Sequence, residues 1–229
     1  MLILAIDASG QTAGAALVTA EKVVAEISLN CGYTHSKTLM PLIDHIVRIS
    51  GTSLSDIDYI ACASGPGSFT GLRIGAGCAK GLARGLGKKM VNVPALDALA
   101  YNVYERDGYI TPIMDARRGE VYAAVYKWKN ELTRVTEYMA EKIEVVIERV
   151  NQLGSTAVFL GDGVFPHREL LVENGMSLAP LGSSLQRASS VGALALKMAE
   201  AGEVVSPRDF KIFYIRKPQA ERESEAKNA

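Results

Sequence analysis

The sequence predicts an α/β protein made of two related lobes, each with the element order β-β-β-α-β-α. Short apolar runs with strand character alternate with longer segments whose apolar residues repeat at helical spacing. An acidic residue followed by a polar turn ends a strand twice, in Ile6-Asp7-Ala8-Ser9-Gly10 and in Met114-Asp115-Ala116-Arg117-Arg118-Gly119. A glycine turn also ends a strand twice, at Gly65-Pro66-Gly67 and at Gly161-Asp162-Gly163. These recurrences indicate an internal duplication.

The first lobe is predicted to open with a three-stranded meander, because its apolar runs are separated only by short turns. The helix that follows contains Pro41, which is expected to kink it or to mark its true start. The predicted elements are strands 2–8, 13–19 and 22–29, helix 34–49, strand 59–63, helix 70–85, strand 90–93 and a connecting helix 96–104.

The second lobe is predicted to repeat this order with weaker signals. Its elements are strands 109–114, 120–128 and 132–138, helix 143–150, strand 157–160 and a final helix 188–201. The division that follows is a first lobe at 1–104, a second lobe at 105–219 and a frayed polar tail at 220–229.

The composition is that of an ordinary globular protein, and it argues against a strongly basic nucleic-acid-binding protein and against a membrane-spanning protein. The formal net charge is zero, so an overall nucleic-acid footprint is absent, and any RNA contact must use a local patch. The candidate patch is the basic stripe Arg73, Lys80, Arg84 and Lys88, although such a stripe is more often a solvated helix face. No apolar stretch is long enough for a membrane span and no leader precedes the first strand, so a cytoplasmic location is expected.

The glycine-rich loop at 64–75 joins a strand to a helix and has two interpretations. Gly65 and Gly67 permit close backbone approach, and Ser68 or Thr70 can cap the helix, so the free N–H groups could hold a phosphate. The residues of the loop match neither a P-loop motif nor a dinucleotide-binding fingerprint. A structural tight turn is the alternative, and Asp7, Ser9, Gly65 and Gly67 then form a vestigial phosphate or nucleotide loop.

Residues for catalysis do not converge in the sequence. His35 and His45 lie too far apart on one helix to chelate one ion, and no nucleophile elbow is present, so no catalytic residue and no metal site are predicted. The acids at strand ends, Asp7, Asp115 and Asp162, suit Mg²⁺ and phosphate. An ATP-dependent phosphotransferase or ATPase therefore stays open as an alternative function.

The helix after the loop is unusually rich in glycine, and each glycine costs about 1 kcal/mol relative to alanine. Gly71, Gly75 and Ala79 share a small-residue face with Leu72. That face either packs on the protein's own sheet or docks a partner helix.

The chain resembles the TsaB family, also called YeaZ, and the wider actin, hexokinase and heat-shock-protein ATPase (ASKHA) superfold. The TsaB signature is matched by Ser64-Gly65-Pro66-Gly67-Ser68-Phe69-Thr70-Gly71-Leu72-Arg73-Ile74-Gly75, and the family pattern also by Leu2-Ile3-Leu4-Ala5-Ile6-Asp7-Ala8-Ser9 and Tyr214-Ile215-Arg216. The resemblance implies a non-catalytic scaffold subunit that binds and activates TsaD, which forms N6-threonylcarbamoyladenosine at position 37 of tRNA. TsaE is implied as a further partner through the complex.

The resemblance also implies where partners and cofactors bind. The TsaD-docking surface is expected on helices 34–49 and 70–85, around Leu39, Met40, Ile43, Leu72, Gly75 and Ala76. Ala95 and Leu99 align with the metal-binding histidines of TsaD, and neither binds metal. No cofactor is expected on this chain alone, with ATP and Mg²⁺ only in the complex. The tRNA is contacted indirectly or by the basic stripe, and the lone chain can pair with itself.

Overall fold

The computed structural model describes residues 1–103, 107–154 and 156–216 and contains two mixed β-sheets. The first sheet has the strand order β3-β2-β1-β4-β5. Strands β1, β2 and β3 pair antiparallel, whereas β1–β4 and β4–β5 are parallel. The strands are β1 Leu2–Asp7, β2 Ala13–Thr19, β3 Val23–Leu29, β4 Tyr59–Gly65 and β5 Lys89–Pro94.

The second sheet repeats this plan strand for strand. Five of its strands follow the order β10-β7-β6-β11-β12, again with two antiparallel pairs on one side and two parallel pairs on the other. A short hairpin, β8–β9, is added beside β6. The predicted duplicated ASKHA-type fold is therefore confirmed at the level of topology. The strands are β6 Tyr109–Arg117, β7 Glu120–Ala123, β8 Tyr126–Trp128, β9 Leu132–Arg134, β10 Met139–Lys142, β11 Ala157–Leu160 and β12 Ser177–Leu178.

Six helices form three layers around the two sheets of the described chain. Helices α1 and α2 cover the outer face of the first sheet, and α4 and α5 cover the outer face of the second. Helices α3 and α6 lie in a core that is shared by the inner faces of both sheets. The helices are α1 His35–Ile49, α2 Phe69–Leu86, α3 Ala95–Ala100, α4 Ile143–Gln152, α5 Val164–Glu173 and α6 Ala188–Glu200.

Most predicted elements agree with the structure to within one or two residues. Thr34 is the N-cap of α1, so Pro41 lies inside this helix and does not mark its start. Ser68 caps α2, and its hydroxyl oxygen accepts the N–H of Gly71 at 3.2 Å. The connecting helix is shorter than predicted, because α3 ends at Ala100.

The predicted strand 120–128 is divided into β7 and β8. The break lies at Ala124 and Val125, and the register with β6 continues across it. Val125 directs its backbone toward the segment before β10, where its N–H donates to Thr136 Oγ1 and its carbonyl accepts the N–H of Val135. The predicted strand 132–138 is likewise shorter, because β9 ends at Arg134.

The helix that completes the second set of elements is α5 and not the predicted helix 188–201. Helix α5, which was not predicted, follows β11 and takes the place that α2 has after β4. The amphipathic pattern of α5 is weak, because only Val164 and Leu171 are buried while Phe165 and Val172 are exposed. Helix α6 instead crosses back to cover β1 and β2 of the first sheet, where a side chain at Gly192 would overlap Val18.

The segment 205–216 also connects the two halves. Val205 pairs with Met90 of β5, and the N–H of Phe213 donates to the carbonyl of Ser64 at 2.7 Å. Arg216 then forms an ion pair with Glu120 of β7. The predicted lobe boundary at 104/105 and the predicted tail at 220–229 lie outside the described residues, so both stay predictions. No helix in the described ranges is long and apolar enough to cross a membrane.

Candidate functional site

A cleft of about 360 Å³ lies between the two sheets, where the turns after β1, β4 and β11 meet the carboxyl end of β6. Such crevices beyond the carboxyl ends of parallel strands are where ligands usually bind in α/β folds. Of the residues predicted for the vestigial loop, Ser9 and Gly67 line the cleft, while Asp7 and Gly65 lie behind it. Asp115 and Asp162 line it as well.

The glycines of the loop after β4 permit contacts within the chain itself. A Cβ at Gly65 would overlap the carbonyl oxygen of Phe213, and one at Gly67 would overlap that of Ser9. At Gly71 a Cβ would overlap the carbonyl oxygen of Ala8. The N–H of Ser68 donates to Ser9 at 2.7 Å, so this donor is already used. These contacts favour the structural tight turn over a phosphate cradle.

Asp7 is buried, with 2% of its surface exposed, at the end of β1. Its Oδ1 accepts the N–H of Ser9 at 2.8 Å and the hydroxyl of Ser9 at 2.6 Å. Burial raises the pKa of Asp7 from 3.8 to about 6, although the two bonds from Ser9 oppose that rise. The carboxylate thus orders the first turn from behind the cleft.

Asp162 joins the two equivalent turns of the duplicated fold. Its Oδ2 accepts the N–H of Gln11 and its Oδ1 accepts the N–H of Asp115, each at 3.2 Å. Burial also raises the pKa of this carboxyl. Two backbone donors that face each other across the cleft are therefore satisfied by an internal carboxylate, in the way that a bound anion would satisfy them.

The remaining candidates for binding chemistry do not form a cluster. His35 bonds to the carbonyl of Gly10 at 2.9 Å, and His45 lies on the exposed side of α1. Arg117 pairs with Asp115 of the same turn at 3.3 Å. Ala95 and Leu99 are buried in α3. Within residues 1–103, 107–154 and 156–216, no three His, Cys, Asp or Glu side chains lie close enough to hold a metal ion.

Five of the six residues predicted to dock a partner are buried in the protein's own core. The face of α2 that carries Leu72, Gly75 and Ala76 packs on the first sheet, where a Cβ at Gly75 would lie 3.3 Å from Ala8 Cβ. Leu39 and Ile43 of α1 pack in the same core. Only Met40, which is 42% exposed, faces outward. The small-residue face therefore serves packing on the protein's own sheet.

A second small-residue face of α2 points outward and was not proposed as a docking surface from the sequence. A Cβ at Gly77, Gly81 or Gly85 would meet no described atom within 4 Å. These glycines are spaced by four residues, so they lie on one face. We call Gly77, Gly81 and Gly85 the outer glycine face. The sequence signal was present, since Leu72, Ala79 and Ala83 identify the opposite face as the buried one.

The pH dependence of stability should report the buried state of Asp7. Because its pKa is raised in the folded protein, folding favours the protonated form, and this stabilisation is lost as the pH rises from about 4 through 6. The variant Asp7→Asn stays neutral. We expect its free energy of unfolding, relative to the parent chain, to increase by up to about 3 kcal/mol between pH 4 and pH 7.

Urea unfolding at several pH values measures this difference. A difference between the two proteins that stays constant over that range would contradict the assignment of a raised pKa to Asp7.

Comparisons with known proteins agree with this fold. The family model described as TsaD, tRNA N6-adenosine threonylcarbamoyltransferase, matches residues 29–206. The tRNA threonylcarbamoyladenosine biosynthesis protein TsaB of Escherichia coli (strain K12) is 35% identical over 94% of this chain and 95% of its own. The crystal structure of YeaZ from Pseudomonas aeruginosa has a TM-score of 0.77 at 26% identity and covers 93% of this chain and 99% of its own. A hexokinase from Thermus thermophilus, at TM-score 0.51 and 10% identity over 88% of this chain and 100% of its own, shares the fold alone.

Proposed function

The chain belongs to the TsaB family of tRNA threonylcarbamoyladenosine biosynthesis proteins, and we propose that it serves there as the scaffold subunit that binds and activates TsaD. Its place in threonylcarbamoyladenosine formation follows from the family. The match to the TsaD family model supports pairing with a protein of similar architecture. In the proposed dimer, α1 and α2 pack against the corresponding helices of TsaD.

The observation that carries this proposal is the outer glycine face of α2. Each glycine inside a helix costs about 1 kcal/mol relative to alanine, and no described atom of the chain comes close enough to require Gly77, Gly81 or Gly85. A helix of another protein can approach the α2 backbone closely where side chains are absent. The half-buried Ile74, one turn before Gly77 on α2, supplies apolar surface beside these glycines, and Met40 of α1 is a further exposed apolar side chain.

We propose that the chain itself catalyses no reaction. This is supported by the internal pairing of Asp162 and by the apolar, buried Ala95 and Leu99, the positions that the family resemblance matches to metal ligands of TsaD. Nucleotide and Mg²⁺ then bind only in the complex, of which TsaE is a further member. In the absence of TsaD, the same outer face pairs with a second copy of this chain.

The variant Gly81→Leu tests the docking surface. We expect it to weaken the complex with TsaD at least tenfold, because a leucine side chain would prevent close approach, while the free chain stays folded. The control Glu148→Leu places the same side chain on an exposed position of α4 and should bind TsaD like the parent chain. Calorimetric titration with TsaD, with and without ATP and Mg²⁺, measures the affinity, and a tRNA modification assay measures activation.

Three outcomes would contradict parts of this function. Equal tRNA modification by TsaD with and without the chain would rule out activation. ATP hydrolysis by the isolated chain, if abolished in Asp7→Asn, would favour the ATPase alternative. Parent-like affinity of Gly81→Leu for TsaD, together with normal activation, would place the docking surface elsewhere on the chain.

A further inference from the structure

A groove of about 560 Å³ runs along the flank of α2, between this helix and the segment 210–214. Gly77 contributes no side chain to the lining of this groove, and the cationic side chains that line it belong to Arg73, Lys80 and Lys211. Arg84 continues the row one turn beyond Lys80. Lys88, the last member of the basic stripe, lies outside the groove, because its ammonium group donates to the carbonyl of Ser55 at 3.2 Å.

The described part of the chain does not neutralise the cations of this groove. Among the described residues, no carboxylate lies within ion-pair distance of Arg73, Lys80, Arg84 or Lys211. The guanidinium of Arg73 lies instead 3.8 Å from the ring centre of Phe69, and Nζ of Lys80 lies 5.7 Å from that of Phe210. Since the whole chain has no net charge, this is a local concentration of positive charge.

We propose that this groove binds the phosphate backbone of the tRNA that the complex with TsaD modifies, which rests on the proposed function. Arg73, Lys80 and Arg84 lie on one flank of α2 and span about 16 Å along its axis. A row of cations of this length fits a linear polyanion, and such phosphate contacts dominate nucleic-acid affinity. Phe69 and Tyr214, whose rings lie 5.4 Å apart, offer a surface on which an unpaired base can stack.

The groove shares Gly77 with the outer glycine face, but its cations lie on the flank of α2, so docking of TsaD and binding of tRNA can be tested separately. Gly77 lines the groove, whereas Gly81 and Gly85 do not. Neutralising charges on the flank should therefore change tRNA affinity without changing the affinity for TsaD.

The triple variant Lys80→Gln, Arg84→Gln and Lys211→Gln tests the proposal. The control Lys22→Gln, Lys129→Gln and Arg149→Gln removes the same charge from exposed positions outside the groove. Each is assembled with TsaD and titrated with an unmodified tRNA transcript carrying A37 at several salt concentrations. We expect the groove variant to bind on the order of tenfold more weakly, with a salt slope reduced by about one for each phosphate that the protein no longer neutralises.

Measuring assembly with TsaD separates the proposed tRNA groove from the scaffold function on which it rests. Normal assembly with unchanged tRNA affinity and salt slope would overturn the RNA groove and leave the scaffold function intact. A groove variant that loses affinity for TsaD but not for tRNA would assign the cations to an acidic stretch of the partner protein and also overturn it. Equal losses in the groove variant and the control would show that only overall charge matters, which the proposal does not allow.

Discussion

The variant Gly65→Ala is expected to lose about 3–5 kcal/mol of folding free energy. Gly65 has a φ of +115°, which an L-residue adopts only with strain, and the added Cβ would overlap the backbone carbonyl of Phe213. The carbonyl cannot easily move away, because the N–H of Phe213 is held by Ser64. Urea denaturation of the purified chain measures the loss.

Gly87→Ala is the matched control for this prediction. Gly87 ends α2 with a φ of +66°, and a Cβ there would meet no described atom within 4 Å. Its replacement should cost only about 1 kcal/mol, from backbone conformation alone. Equal losses at the two positions would mean that the contact between the glycine loop and Phe213 contributes nothing to stability.

The second large effect is expected for Asp97→Ala, at about 3–5 kcal/mol. Asp97 Oδ1 accepts the hydroxyls of Tyr126 at 2.5 Å and Tyr138 at 2.7 Å. Tyr126 is 1% exposed, so water cannot replace the lost acceptor. Burial and the neighbouring carboxylate raise the pKa of Tyr126 well above its ordinary value, which keeps this hydroxyl protonated as a donor. The bonds join α3 to the second sheet.

A double variant distinguishes this cause from a general loss of packing. Adding Tyr126→Phe to Asp97→Ala removes the unpaired hydroxyl and should restore about 1–2 kcal/mol. Asp44→Ala, at an exposed site on α1 with a weak 4.0 Å ion pair, should change stability by less than about 0.5 kcal/mol. Absence of any recovery in the double variant would contradict the role assigned to the Tyr126 bond.

The duplicated fold could be predicted from the sequence because both halves carry the same local signals. An acid at the end of β1 recurs two residues before the end of β6, and the turns at Gly65 and Gly161 recur with φ values of +115° and +108°. Helix α5 could not be predicted, because two of its large apolar residues, Phe165 and Val172, are exposed. The position of α6 depends on a contact between distant segments, which helical periodicity does not encode.

The candidate site was predicted in part for a similar reason. Ser9 and Gly67, which were predicted as part of a vestigial phosphate loop, both line the cleft, whereas Asp7 and Gly65 do not. The bonds of Asp162 to Gln11 and Asp115 link segments far apart in the chain, so no local pattern indicates them. On α2 both faces carry small residues, and only the structure separates the packed face from the outer one.

The return of α6 and the segment 205–216 to the first sheet has a consequence for how the protein is made. Ribosomes deliver residues in order, and β1 and β2 lack the helix that packs on their inner face until Ala188–Glu200 has emerged. The bond between Phe213 and Ser64 forms later still. If the nascent chain were released after only the first half had been synthesised, β1 and β2 would be left with exposed apolar surface. The first half therefore reaches its native form only after nearly all of the second has been synthesised.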